Sequence, residues 1–150
     1  MKIAVDFDGT VVKQEHAYDD LESPLEFIEG AREGLLALKA AGHILLLWSG
    51  RASRALLLDP SLNPLVRAGV VADNRAAWER SRAIHQARYE QMILFVETYL
   101  PGVFDAIDDG LGGKPLVDLI VDDKAFVMRG RGTWSRLART YGEIAQSLGR

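Results

Sequence analysis

The sequence predicts an α/β domain, three layers deep, with a mainly parallel and doubly wound sheet. Three observations carry that expectation. Short, continuously apolar runs recur along the chain, helical patterns lie between them, and each run ends in a cluster of polar residues. Apolar runs without alternation are the habit of strands buried on both faces, as in a parallel sheet covered by helices. Strands and helices in alternation give layered α/β folds, in which ligands bind at the carboxyl ends of the strands.

The first run, Ile3-Ala4-Val5, leads into Asp6-Phe7-Asp8-Gly9-Thr10. Ala31, Leu35 and Leu38 then fall at i, i+4 and i+7, and Gly42 sits where a C-terminal glycine cap belongs. That pattern is a crossover helix. The second run, His43-Ile44-Leu45-Leu46-Leu47-Trp48, ends in Ser49-Gly50-Arg51. Across residues 75–99, Trp78, Arg82, His85, Tyr89, Met92, Val96 and Tyr99 share one helical face. The apolar C-terminal half of that helix is expected to pack on the core. The polar-aromatic first half is assigned to packing, or to a homodimer seam along 78–99, ahead of substrate contact. Residues 103–107 are a weaker strand candidate, and Leu119-Ile120-Val121 is a strand that ends in Asp122-Asp123. Behind Thr133, a capping residue, an apolar stripe from Trp134 to Leu148 predicts a last helix covering one sheet face.

The chain of 150 residues, 48% hydrophobic and 26% charged, fits one domain spanning 1–150, without internal repeats or a linker. Eighteen basic against 21 acidic residues leave a net charge of -3, which gives no global positive field to gather nucleic acid. The absence of cysteine excludes disulfides, thiolate metal sites and a thiol nucleophile, and is compatible with a reducing cytoplasm, the expected location. No run reaches the roughly 20 apolar residues that span a bilayer, and the start of the chain lacks the apolar core of a signal peptide.

The chemistry is concentrated at the strand ends. Asp6 and Asp8 are two residues apart, so a continuing strand would point both to one side, where like charges repel unless a proton or cation intervenes. If the Asp122-Asp123 strand is a neighbour, four carboxylates converge against one lysine, Lys114. Such a deficit of positive charge among hard oxygen ligands suits Mg²⁺, which takes one or two carboxylates plus waters and a phosphate. Gly9 permits a tight turn close to a ligand. Each piece alone reads as an ordinary turn or polar strand end. Two acidic pairs, a strand-end hydroxyl and a lysine in one chain are harder to explain that way.

Asp6-Phe7-Asp8-Gly9-Thr10 resembles the nucleophile motif of the haloacid dehalogenase superfamily, whose members are mostly Mg²⁺-dependent phosphatases. Ser49 is similar to the second motif's Ser/Thr, Lys114 to the third motif's lysine, and Asp122-Asp123 to the acidic fourth motif. The resemblance covers about residues 1 to 125 and implies a Rossmann-like hydrolase domain. It implies Asp6 as nucleophile, Asp8 as general acid/base, and Ser49 and Lys114 at the substrate phosphate. Beside them Gly50 is grouped at the phosphate, and Arg51, right after that turn, reads equally as a ligand of a substrate phosphate or carboxylate and as an ordinary solvated arginine. The metal ligands that the resemblance implies are Asp6, Asp8 through its backbone carbonyl, and Asp122, with Asp123 supporting that shell. An aspartate at position 8 resembles the phosphatases and argues against carbon–halogen chemistry. The stretches between motifs leave no room for a full cap domain, so the chain resembles the capless members.

The expected function is therefore hydrolysis of small phosphate monoesters through an aspartyl-phosphate on Asp6. A phosphotransferase using the same phosphoenzyme, and a receiver-like phospho-aspartate signalling module, are the rivals. The receiver reading requires its acceptor aspartate to end a central strand where this chain has Ser49. Gly112-Gly113-Lys114 is not a nucleotide phosphate loop, since that motif needs glycine at 108 and Ser/Thr at 115, where Asp108 and Pro115 stand. Lys124 is the lesser competitor for the third-motif role. His16 and His85 have no second ligand at useful spacing and are read as helix-face or surface residues.

Overall fold

The computed structural model describes residues 1–52, 67–70, 75–111 and 115–123. Lys114, Lys124, the expected helix over 133–148 and the side chain of Trp78 lie outside the described residues. Four strands form one all-parallel sheet: β1 (Lys2–Val5), β2 (Ile44–Leu47), β3 (Ala106–Ile107) and β4 (Leu119–Val121), in the order β3-β2-β1-β4. Two helices are interleaved, α1 (Ala31–Ala40) and α2 (Arg75–Tyr99), with a short 3₁₀ turn at Gly50–Ala52. No helix among the described residues is long and apolar enough to cross a membrane.

β1 is apolar without alternation because both its faces are covered: Ile3, Ala4 and Val5 are fully buried. β3 is shorter than the 103–107 stretch read from sequence. Its run begins with a turn at Val103 and with Asp105, whose carboxylate accepts from Lys39 Nζ (2.6 Å) and from the Leu45 N–H (2.9 Å). That carboxylate ties the end of α1 to the start of β2, and the lysine hydrogen bond holds its pKa below the usual range.

α1 buries Ala31, Leu35 and Leu38, carries Glu33 in its first turn and Lys39 in its last, as the helix dipole favours, and stops at Gly42. Gly42 has φ 81°, and its N–H donates to the Lys39 carbonyl while His43 N–H reaches back to Leu38. α2 has 25 residues and is about 37 Å long at 1.5 Å per residue. Its last turns bury Met92, Phe95 and Val96, and Pro101 follows soon after its end. Phe95 meets Phe7 edge-on (5.7 Å between centroids), Phe27 (4.8 Å) and Tyr99 (4.9 Å), so one aromatic cluster joins α2 to the β1 exit.

Between β1 and α1 the chain makes a loop without helix. Val12 bridges Asp8 on one side and Phe27 on the other, and backbone bonds Lys13 N–H to Glu26 (2.9 Å) and Ile28 N–H to Val11 (3.0 Å) close its neck. The loop tip, with Gln14 and Tyr18, is thereby held over the carboxyl end of the sheet.

Candidate active site

Strand order decides where the site lies. From β1 the chain moves to β2 and on to β3, then returns to the far side of β1 to lay down β4. The order therefore reverses between β1 and β4, and in open parallel sheets the crevice at such a reversal is the binding position. Val5 is in register with Val121, and the Asp6 N–H donates to the Val121 carbonyl at 2.9 Å. Asp6 and Asp122 each follow the last paired residue of neighbouring strands.

The turn after β1 brings the other acidic residues in. The N–H groups of Thr10, Val11 and Val12 all converge on the Phe7 carbonyl (3.3, 2.9 and 3.0 Å), which folds Asp8-Gly9-Thr10 back on the strand end. Gly9 has φ 77°, and a Cβ there would lie 2.9 Å from Asp123 Oδ2 and 3.0 Å from its Cγ. Both backbone conformation and contact require glycine. Thr10 is fully buried, and its Oγ1 accepts from the Asp123 N–H at 3.0 Å. The glycine and threonine of the motif therefore seat the turn after β4 against the turn after β1. That positions Asp123.

Asp6, Asp122 and Asp123 each present a carboxylate oxygen, and these lie within 4.8 Å of one another. Partial burial, opposed by a hydrogen bond from the Phe7 N–H and reinforced by the charges of Asp122, Asp8 and Asp123, pushes the Asp6 pKa up from 3.8 to about 6. The donors of the trio are hard oxygens close enough to share one ion. The set fits Mg²⁺, with Asp6, Asp122 and Asp123 as the side chains that would hold it.

The carboxylate of Asp8 is not part of this trio. β1 ends at Val5, so strand alternation does not extend to position 8, and the turn directs the Asp8 side chain to Arg51. Arg51 grips it with both edges of its fork, Nε to Oδ2 at 2.7 Å and Nη2 to Oδ1 at 2.6 Å. The Arg51 side chain is only 4% exposed. Its Nη1 donates to the Arg88 carbonyl (2.9 Å) and to Gln91 Oε1 (3.1 Å), and its guanidinium lies 5.0 Å from the Phe7 ring centroid. Arg88 Nη2 stands 3.4 Å from each Asp8 oxygen. Three carboxylates converge, and the fourth is turned to arginine.

Ser49 lies two residues past the end of β2, 7% exposed, with its Oγ accepting from the Arg51 N–H at 3.3 Å. Gly50 starts the 3₁₀ turn and a Cβ on it would meet nothing within 4 Å, so the space beside it is open. A cleft of about 250 Å³ joins these parts. Asp6, Asp8, Ser49, Gly50 and Arg51 line it together with Gln14 and Tyr18 of the loop and His85 and Arg88 of α2. Asp6, Asp8, Ser49, Gly50 and Arg51 thus come together as the sequence reading grouped them, with Asp122 and Asp123 beside Asp6. Lys114 lies outside the described residues.

Sequence reasoning missed Tyr18, Gln14 and Arg88, and assigned the first half of α2 to packing. Here His85 is 4% exposed in the cleft wall, with Nδ1 3.2 Å from the Tyr18 hydroxyl, and Arg88 one turn on faces Asp8. The signal available was a helix face on which arginine and histidine follow at spacings of three, upstream of a purely apolar stretch. Comparison of the chain with protein-family models, with curated proteins and with solved structures gives no match.

Proposed function

We propose that this chain is a Mg²⁺-dependent phosphatase of the haloacid dehalogenase type, hydrolysing small phosphate monoesters through an aspartyl-phosphate on Asp6, on a three-layer, doubly wound sheet without a full cap. The observation that carries this reading is the trio of Asp6, Asp122 and Asp123, within 4.8 Å of one another at the reversal of a parallel sheet, with Asp6 lining a cleft that Ser49 also lines.

Phosphoryl transfer asks a protein mainly for in-line positioning and for neutralisation of charge. A carboxylate oxygen of Asp6 attacks phosphorus, the bond to the ester oxygen breaks, and the leaving oxygen takes the proton that Asp8 donates. Ser49 Oγ–H donates to a phosphoryl oxygen at the neighbouring strand end. In the second step water attacks the acyl phosphate, gives up a proton, and inorganic phosphate leaves with Asp6 regenerated. Asp8, oriented by Arg51, takes that proton and so regains the one it gave to the leaving group. Mg²⁺, when bound, supplies the charge that lets Asp6 and a phosphate approach one another. The cysteine-free composition suits a reducing compartment, and we place the reaction in the cytoplasm.

The test is phosphate release from nitrophenyl phosphate and a panel of natural monoesters, with Mg²⁺ and with a chelator, alongside intact-protein mass spectrometry after an acid quench. The reading expects sustained, chelator-sensitive turnover and a phosphate-sized mass increment that Asp6→Asn abolishes. A protein that labels without releasing phosphate is a receiver-like module, and transfer to an added alcohol in preference to water marks a phosphotransferase.

A further inference from the structure

The cleft has two electrical ends. At one lies Asp6, backed by Asp122 and Asp123, whose carboxylate oxygens lie within 4.8 Å of one another and of Asp6. At the other, the guanidiniums of Arg51 and Arg88 face the carboxylate of Asp8, which among the described residues leaves a surplus of one positive charge. The two arginines are not equivalent. Arg51 is committed at short distances to Asp8, to Gln91 and to the Arg88 carbonyl. Arg88 is fixed from behind: its Nη1 donates to the Tyr18 carbonyl at 3.0 Å, and the Tyr18 ring lies 4.6 Å from its guanidinium carbon. Among the described residues its Nη2 edge makes only long contacts, 3.4 Å to each Asp8 oxygen, beyond the ordinary range of a charged hydrogen bond. A guanidinium that is 11% exposed, oriented by its neighbours and weakly engaged at one edge is a preorganised anion receptor.

We propose that Arg88, with Arg51 beneath it and His85 and Tyr18 at its sides, forms a second anion subsite, so that the substrate is a small phosphate monoester carrying a carboxylate. This rests on the phosphatase reading given above. A single negative charge matches the surplus at that end better than a second phosphate would. The cleft volume of about 250 Å³ suits a compact acid. The carboxylate would take the Nη2 edge that Asp8 reaches only at long range, leaving the Arg51–Asp8 pair in place.

The experiment compares 3-phosphoglycerate with glycerol 3-phosphate, which share a three-carbon chain and differ in carboxylate against hydroxymethyl. The wild-type protein should prefer the former in kcat/KM by about tenfold or more, the scale of one charged hydrogen-bonded contact. Arg88→Gln should bring the ratio of the two close to one whatever its absolute activity, and Arg88→Lys should leave it between. A wild-type ratio at or below one overturns the subsite while leaving the phosphatase reading intact, and needs no variant to fold. Calorimetric binding of 3-phosphonopropionate against propylphosphonate, to the full chain with Mg²⁺, separates the two ideas. If no ester is turned over, the phosphatase reading is lost, yet about tenfold tighter binding of the carboxylated phosphonate that Arg88→Gln removes still supports the subsite. Equal binding of both phosphonates overturns it.

Discussion

Asp6 works against the stability of its own fold, and replacing it with asparagine tests both the site's electrostatics and its metal. Burial and the nearby charges of Asp122, Asp8 and Asp123 raise its pKa from 3.8 to about 6. At about 1.4 kcal/mol per tenfold, ionising Asp6 in the folded protein costs about 3 kcal/mol more than in the unfolded chain. A carboxyl whose folded pKa is raised keeps its full stability below the unfolded value and loses it as pH climbs through the folded one. The loss therefore accrues between about pH 4 and pH 6 and is complete at neutral pH. Asparagine has nearly the same shape and no charge to bury. In chelator at pH 7.5, Asp6→Asn should melt about 6–12 °C above the wild type, taking 2–4 °C per kcal/mol for a domain of this size. At pH 4 the two should melt nearly together. Other titrating groups, such as Asp20, Glu26 and Asp105 with their lowered pKa values, are shared by both proteins and cancel in the difference. Adding Mg²⁺ should stabilise the wild type more at pH 7.5 than at pH 5, where the proton competes for Asp6, and should stabilise the variant less. A variant no more stable than the wild type at pH 7.5 in chelator, or a gap that is the same at pH 4, would refute the crowded-carboxylate account.

Because the Asp8 carboxylate faces Arg51 and not the trio, Mg²⁺ affinity by calorimetry should fall about tenfold or more in Asp122→Asn and change far less in Asp8→Asn. With nitrophenyl phosphate, whose leaving group needs no proton, Asp8→Asn should accumulate phosphate on Asp6 and slow turnover by about 10² to 10⁴, the usual worth of a proton acceptor. Gly9→Ala meets both a left-handed φ, costing about 1–2 kcal/mol, and the Asp123 carboxylate at 2.9 Å. Denaturant unfolding and Mg²⁺ titration should therefore both weaken. Thr10→Val keeps the buried shape and removes the acceptor for the Asp123 N–H, so urea midpoints should report a loss of about 1–3 kcal/mol.

The parts of the fold that sequence revealed are those where burial is symmetric. Ile3, Ala4 and Val5 are hidden on both faces, so a run of apolar residues had only one economical structural meaning, and Asp6 directly after it had to mark a strand end. Gly42 was legible for the same kind of reason, since a helix that must stop beside a strand needs a residue tolerant of positive φ. β3 was faint because two residues carry too little pattern, and its anchor, the Asp105 carboxylate on Lys39 and Leu45, is a long-range contact that no local window contains. The direction of Asp8 was illegible because alternation is a property of extended chain, and three N–H groups turning onto the Phe7 carbonyl end that extension one residue earlier than the rule needs.

The cleft wall of α2 shows a deeper limit of periodicity. Spacings of three and four tell which residues share a helix face, but not what lies opposite it, and the same stripe that packs Met92, Phe95 and Val96 against the aromatic cluster brings His85 and Arg88 under the Tyr18 loop. What distinguishes the halves is the kind of side chain that is buried. Apolar burial stabilises a helix wherever it occurs, whereas enclosing arginine and histidine costs desolvation that is offset only by specific partners. Those partners come from three separate segments: Asp8 from the turn after β1, Tyr18 from the following loop, and Arg51 from the turn after β2. Arg51 joins them because it contacts the Phe7 ring, the Asp8 carboxylate and the α2 backbone together. The side chain that orients Asp8 is thus the one that docks α2 onto the site. Moving that helix would change the surroundings of Asp8 before it changed the trio of carboxylates.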